Sequence, residues 1–373
     1  MKHLHIGIVT QAYYPVLGGV TEHVWALSKE LEKRGHRVTV IAGTARSPDD
    51  RGLRVLRIGF QLPIMSNGAR VSITVGYRLA RTLREIEERE EFDVVHIQSP
   101  LDPFIPLAAL RSMERPKIGT HHTTRDSNPL CALFPQFFGR MLGRLSANIA
   151  VSHSAEGLVK QYFPNTPFHI IPNGVDTERF STRIEPYPKL RDGVPTILFV
   201  GRMDPRKGAR FLFGAMPYLE KKLPQYRIVV VGTGWMRKVY DKFIPLTLQH
   251  RVQFAGYASP EELPRYYRSA DIFCSPALGG ESQGIVLLEA LASGTPIVAS
   301  DIEGYRWVIE PGRHGLLVPP KSPRHIAEAL IDVLSSPARH EAMARACREH
   351  ALTYAWPKMV DQIEPIYEEA VRG

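Results

Sequence analysis

Twice along the chain, short runs rich in valine and isoleucine alternate with longer stretches of helical period, and no other feature restricts the fold as tightly. Strands that are apolar on both faces must be covered on both faces, which is the situation of parallel strands joined by crossover helices. In the first half the strand-like runs are His5 to Thr10, Val38 to Ala42, Val55 to Ile58, Asp93 to Ile97, Lys117 to His121, Asn148 to Ser152 and His169 to Pro172. After the first run, Val20, Val24, Leu27 and Leu31 recur at spacings of three and four, and Gly35 stops the helix they define. The pattern restarts at Thr196 to Gly201 and continues through Tyr226 to Gly232, Val252 to Gly256, Asp271 to Ser275, Pro296 to Ser300 and Gly315 to Val318. Two doubly wound, Rossmann-like α/β units in tandem account for it. At 373 residues the chain is also too long for one ordinary core.

Between the two sets of strands, IEPYPKLRDGVP carries three prolines and a glycine and neither period, which places a linker near Thr182 to Pro195. The expected organisation is therefore a first domain over 1–182, a second over 183–355, and a terminal helix over 356–373 that crosses back to pack on the first domain. Ligands of doubly wound sheets bind beyond the carboxyl ends of the strands. Two such units facing one another are expected to enclose a cleft, with the functional motifs at strand ends.

Bulk composition narrows the function classes. A hydrophobic share of 44% and a charged share of 23% exclude disorder and fibrous repeats. No apolar run reaches the ~18 residues of a membrane span, and the HIGIVT opening is too short for a secretory signal, so a cytoplasmic protein is expected. Cys131, Cys274 and Cys347 form no Cys-x-x-Cys pair, so neither a disulfide framework nor a zinc site is expected, and no metal is assigned. The net charge of +9 is uneven: Met1 to Arg84 holds thirteen lysines and arginines against five acidic residues. Such a face serves solubility, a phosphate-rich substrate or an anionic membrane. No helix-turn-helix, zinc-finger or aromatic RNA-binding pattern accompanies it, so nucleic acid is not an expected partner.

Four motifs carry candidate chemistry. Gly18 and Gly19 stand between the first strand and its helix, where backbone and helix N-terminus can approach a phosphate; a plain tight turn reads equally well. In GRMDPRKG, Gly201 to Gly208, Arg202 leaves a strand end and Lys207 opens the next helix, so both cations can converge on a diphosphate. Arg206 reads as a surface residue and is left without a role. In ALGGESQGIVLLEALASGTPIVAS, Glu281 sits in a glycine-rich loop ahead of a helix whose first N–H groups, at Gly284, Ile285 and Val286, suit a departing phosphate; Glu289 lies two turns further on. A carboxylate at Glu281 suits sugar hydroxyls, and Glu289 can reach a ribose. In GTHHTT, strand alternation puts His121 and His122 on opposite sides, so one of them faces the ligand side.

Through GG near the start, GTHHT, IPNGVD at Ile171 to Asp176, GRMDPRKG and the Glu281 to Glu289 pair, the chain resembles family 4 glycosyltransferases of the GT-B fold over essentially its full length. Within that family, VLGGVTEHV and LGGESQGIVLLEALASGTPIVASD look most like bacterial phosphatidylinositol mannosyltransferases. The resemblance implies retaining transfer of a hexose, mannose from GDP-mannose, to a lipid acceptor such as phosphatidylinositol, without a cofactor or required metal. A UDP-sugar with a soluble acceptor is the alternative. His122 matches the histidine near the sugar, Arg202 and Lys207 the phosphate-binding cations, Glu281 the carboxylate on the sugar hydroxyls and Glu289 the ribose contact. Gly18 and Gly19 match the glycine loop over the diphosphate, Gly232 lies at a donor-side strand end, and Tyr257 and Ala258 fall near the base. Gln283 stands where the subgroup carries phenylalanine.

Glycosyl transfer builds negative charge on the leaving diphosphate, towards which Arg202, Lys207 and a helix N-terminus would point. No second carboxylate is evident near His122 to act as a nucleophile, so the leaving phosphate itself is expected to take the acceptor proton. The segment Asn128 to Ser146 interleaves Leu133, Phe134, Phe137, Phe138, Met141 and Leu142 with Arg140 and Arg144. With Arg70, Arg78, Arg81 and Arg84 it reads either as a peripheral contact with the inner face of the plasma membrane or as a core helix with a basic rim. A nucleotide-sugar epimerase and a non-catalytic nucleotide-binding module are the rival classes.

Overall fold

The computed structural model describes residues 3–16, 18–45, 47–66, 69–124 and 128–373, without the side chains of residues 61 and 63–72. Its strands in chain order are β1 His5–Val9, β2 Arg37–Gly43, β3 Arg54–Ile58, β4 Phe60–Ser66, β5 Ala69–Val75, β6 Val94–Gln98, β7 Lys117–His121, β8 Ala147–Ala150 and β9 His169–Ile170. They continue with β10 Thr196–Val200, β11 Arg227–Val231, β12 Val252–Gly256, β13 Ile272–Ser275, β14 Ile297–Ser300 and β15 Gly315–Val318. Seven strands form one sheet in the order β3-β2-β1-β6-β7-β8-β9, and six form another in the order β12-β11-β10-β13-β14-β15. Neighbours in both are parallel, with Ile6 opposite Val38 on one side and Val94 on the other. Every residue of β1 and β6 is buried, as strands covered on both faces require. Burying each of their valines and isoleucines contributes roughly 1.5–3 kcal/mol.

Two compact units result. One comprises Met1–Ser66, Arg70–Gly174 and Trp356–Gly373; Val175–Ala355 makes up nearly all of the other. The division thus falls at Gly174, eight residues before the boundary at 182 expected from the prolines. Val175 pairs with Ala355 in an isolated bridge, which draws the segment after IPNG into the second unit. The expected strands are all present, but β4 and β5 were not foreseen: they pair with each other as a separate two-stranded sheet. Thr74 ties that sheet to the turn after β1, its hydroxyl donating to the Gln11 carbonyl at 3.1 Å.

The helix Trp356–Arg372 belongs to the first unit. Trp356, Met359, Val360, Ile363, Ile366 and Tyr367 share one apolar core with Leu27 and Leu31. Its buried Glu364 accepts from Arg34 at 2.6 Å and pairs with His36 at 3.0 Å. Three further histidines sit deep in this unit. His96 lies between the Tyr367 hydroxyl (2.7 Å) and Thr120 (2.6 Å), His121 meets Asn148 at 3.1 Å, and His23 meets Asn173 at 2.9 Å.

Burial holds the His96 imidazole down at about 3, and those of His23 and His121 at about 4. In the unfolded chain each protonates near pH 6.5, so below that pH the unfolded state binds more protons and stability falls as pH falls. The loss is about 1 kcal/mol per histidine on going from about pH 6.5 to about pH 5.5. Thermal melts from about pH 7.5 down to about pH 5.5 should therefore show a continuous drop of several degrees; a flat midpoint would contradict the buried neutral assignment.

Candidate functional site

In the second unit, the turn after β10 carries GRMDPRKG. Asp204 closes it by accepting from the Lys207 backbone N–H at 3.2 Å, and Pro205–Lys207 forms one short helical turn. That turn is fastened to the loop after β13, since the Arg206 carbonyl accepts from the Leu278 N–H at 2.9 Å. The fastening brings both cations onto one carboxylate. Lys207 Nζ lies 2.8 Å from Glu281 Oε1, and Arg206 Nη1 binds the same oxygen while donating to the Gly280 carbonyl at 2.9 Å. The Glu281 side chain is only 10% exposed, so both contacts act with little screening by water. Burial alone would push its carboxyl up; Lys207 and then Arg206 outweigh that and hold it below the ordinary carboxylate range. Glu281 is therefore ionised at neutral pH. Arg202 stands apart from this pair, with Nε 3.4 Å from Asp204 Oδ2 and its side chain 41% exposed.

Three residues after Glu281, the chain enters the helix Ile285–Ala292 through Gly284. Gly284 has φ 83°, and a Cβ there would lie 2.6 Å from the Tyr305 ring, so both backbone and packing demand glycine. The first N–H groups of the helix, at Gly284, Ile285 and Val286, lack partners within the helix by construction. Glu289 is buried, and its Oε2 accepts from the Tyr267 hydroxyl at 2.8 Å. Gln283 is buried immediately before Gly284. At the neighbouring strand ends, a Cβ on Gly232 would lie 2.0 Å from the Gly201 carbonyl oxygen, and the Gly232 N–H donates to Gly256 at 2.7 Å. The carboxyl ends of β10, β11 and β12 thus converge, with exposed Tyr257 and half-buried Ala258 following β12.

In the first unit, the helix after β1 runs Gly19–Lys33 and starts at Gly19 rather than Val20, with Gly18 as its N-cap. Gly18 is extended, at φ 174°, and a Cβ on it would meet nothing within 4 Å. Neither its backbone nor its packing therefore requires glycine at position 18. His121 and His122 diverge as strand alternation requires: His121 turns to Asn148 and Phe168, whereas His122 Nε2 meets the Gln98 side-chain oxygen at 2.7 Å. The His122 ring also sits edge-on to His23, centroids 4.6 Å apart, and His23 sits edge-on to Trp356 at 5.2 Å. Burial and the neighbouring His23, His96 and His121 hold the His122 imidazole well below its ordinary value, so it is neutral and exchanges hydrogen bonds without carrying charge.

Gln98, His23 and Asn173 were not foreseen as supports of His122. Polar side chains at alternate positions of the otherwise apolar run VVHIQ were the available signal. A cavity of about 40 Å³ borders this histidine, lined among others by Ser99, Asp102, His121, Thr123 and Tyr162. Asp102 corrects the expectation that no second carboxylate lies near His122. The sequence pattern missed it because it follows β6 in a turn, remote in sequence from GTHHTT.

The Asn128–Ser146 segment divides into two faces. Phe138 and Leu142 are core residues, while Leu130, Leu133, Phe134 and Phe137 are exposed, as are Arg140 and Arg144. Arg81 pairs with Glu85 at 2.7 Å, and the Arg70 side chain lies outside the described residues. Among the described residues no group of three His, Cys, Asp or Glu is arranged to hold a metal, and no helix is long and apolar enough to cross a membrane.

Comparison with known proteins places these sites in a family. Residues 158–350 match the family model for glycosyl transferases group 1, and residues 17–179 match the model for glycosyltransferase family 4. The phosphatidyl-myo-inositol mannosyltransferase of Mycolicibacterium smegmatis is 33% identical over 373 residues, covering 98% of this chain and 94% of that protein. The GDP-mannose-dependent alpha-mannosyltransferase of Mycobacterium tuberculosis is 29% identical over 395 residues, covering 100% of this chain and 98% of that protein. In fold, a glycosyltransferase crystal structure from Rickettsia africae superposes with a TM-score of 0.80 at 20% identity, covering 100% of both chains. With two parallel Rossmann-like sheets and both family models matched, the chain belongs to the group 1 and family 4 glycosyltransferases and is a hexosyltransferase of the GT-B fold.

Proposed function

We propose that the chain transfers mannose from GDP-mannose, with retention of configuration and without a required metal, to a lipid acceptor of the phosphatidylinositol type. The observation that carries this reading is Glu281, an ionised and nearly buried carboxylate held by Lys207 directly ahead of a helix N-terminus. In that role Lys207 and Arg202 take the diphosphate, and the N–H groups of Gly284 to Val286 face the charge that grows on it. Glu281 accepts from the sugar hydroxyls, and Glu289, positioned by Tyr267, takes the ribose. Gly232, Tyr257 and Ala258 lie on the nucleotide side. The neutral His122 exchanges a hydrogen bond with the sugar or acceptor, and Gly18 and Gly19 are the glycines that the family resemblance assigns to the diphosphate. The donor sugar and acceptor follow the mannosyltransferases that share about a third of this sequence.

The acceptor proton passes to the leaving phosphate on the same face, so no sugar becomes attached to the protein. Asp102 is the side chain on which to look for such an adduct, and its capture by mass spectrometry would overturn this step. The exposed Leu133, Phe134 and Phe137, with Arg140 and Arg144 beside them, would rest on an anionic membrane and admit the lipid.

Thermal shift with GDP-mannose against UDP-sugars tests the donor directly. A ligand at about 100 times its dissociation constant stabilises by ~2.7 kcal/mol, and the larger shift is expected for GDP-mannose. Lys207→Ala and Arg202→Ala should each lower mannosyl transfer by about two orders of magnitude with the fold intact by circular dichroism; retained turnover would remove these residues from the mechanism. Vesicle flotation should recover the protein with anionic lipid and not with neutral lipid. Phe134→Ser with Phe137→Ser should abolish that recovery, and equal behaviour on both vesicles would end the membrane reading.

A further inference from the structure

The donor site needs its cations for two tasks at once. Lys207 is bound to Glu281 at 2.8 Å, yet the proposed reaction asks it to meet a diphosphate. If it left and nothing replaced it, a nearly buried carboxylate would stand uncompensated and take up a proton. A protonated Glu281 carries an O–H donor and is a weaker acceptor for sugar hydroxyls.

Arg206 is placed to prevent this. It is joined to the loop that carries Glu281 at three points: its carbonyl accepts from the Leu278 N–H at 2.9 Å, its Nη1 donates to the Gly280 carbonyl at 2.9 Å, and the same nitrogen binds Glu281 Oε1. Lys207 carries its ammonium on a flexible four-carbon stem and, among the described residues, meets Glu281 alone, whereas Arg206 Nη1 is shared between the Gly280 carbonyl and Glu281 Oε1 on a turn whose backbone is bonded to the same loop. Among the described residues Tyr305, from the helix Glu303–Arg306, is a further titratable group facing Glu281; burial keeps its hydroxyl neutral, and it is bonded to Ser275 at 2.8 Å.

Resting on the donor-binding reading, we propose that Arg206 is the standing counterion of Glu281, staying on the carboxylate and keeping it ionised and aimed at the sugar when Lys207 turns to the diphosphate. Arg206 is thus a positioning residue that acts through Glu281 and sets recognition of the hexose without setting recognition of the nucleotide.

The test compares the full-length protein with Arg206→Gln, Arg206→Lys and Lys207→Gln by titration calorimetry with GDP and GDP-mannose, and with UDP and UDP-glucose. Thermal midpoints confirm that each variant is folded. The readout is the affinity ratio of sugar nucleotide to nucleotide between about pH 5.5 and about pH 8, since losing one cation raises a carboxylate by about 1–3 units. In the wild type the ratio should be constant. In Arg206→Gln it should fall about tenfold at the acid end and recover at the alkaline end, while GDP binds as in the wild type. Arg206→Lys should restore the wild-type ratio, and Lys207→Gln should weaken both ligands together. An Arg206→Gln ratio equal to the wild type at every pH overturns the inference. So does a loss of GDP affinity like that of Lys207→Gln, which would make Arg206 a phosphate ligand instead. A wild type that binds neither nucleotide pair overturns the donor reading, and this inference with it.

Discussion

A parallel sheet covered on both faces leaves its chain one place for chemistry, the loops at the carboxyl ends of its strands. Everything else about β1, β6, β10 and β13 is spent on burial, and their valines and isoleucines carry no group that could meet a ligand. The polar residues assembled at those ends are consequently held by backbone. Asp204 closes the turn that presents Lys207, the Arg206 carbonyl pins that turn to the next loop, and Gly284 bends the chain into a helix where a side chain would strike Tyr305.

The ion pairs at Glu281 are poor candidates for a purely stabilising role. Taking a carboxylate and two cations out of water costs about as much as their mutual attraction returns, and hydrophobic replacements of such groups are often neutral or better. A fold that needed only stability would have no reason to keep Arg206 and Lys207 on one nearly buried oxygen. The arrangement is better explained by a ligand that brings its own charge, as a nucleotide diphosphate does, and that redistributes these contacts on arrival. Tyr267 and Glu289 differ in this respect: their bond is buried, and burial with the neighbouring carboxylate keeps the tyrosine neutral, so it steadies the helix as well as aiming the carboxylate.

Much of this was legible in the sequence because the period of apolar residues is a direct consequence of burial. Runs such as HIGIV and TILFV could hardly be anything but buried strands, and the paired motifs had to lie at their ends. The β4 and β5 pair was missed because it is not a core element: its alternation is broken by Pro63, and only Asn67-Gly68 signalled a hairpin. The boundary was displaced because prolines mark irregular chain, whereas the units divide where contacts divide, at Gly174. Arg206 was read as a surface residue because a basic residue in a turn is usually solvated; its partner is seventy-five positions away. Gln98 was signalled only by its place in VVHIQ, and Asn173 not at all, because the partners of both are distant in sequence. Their importance lies in what they touch.

The two units differ in how they hold their polar groups, and the difference has a physical consequence. Around Glu281 the second unit concentrates full charges in a poorly screened setting, which is where interactions with a developing anion are strongest. Around His122 the first unit keeps four imidazoles neutral by burial, each with a hydrogen-bonding side chain within reach. Under the proposed reaction the second unit supplies the stabilisation of the leaving group. The first offers the Asp102 carboxylate in the lining beside His122, but the imidazole itself carries no charge and meets an acceptor through shape and the direction of its hydrogen bonds. Neutral imidazoles suit that task, since each presents one donor and one acceptor whose order is fixed by a neighbour. Gln98 fixes that order for His122, while His23, held by Asn173, supports the ring from its edge.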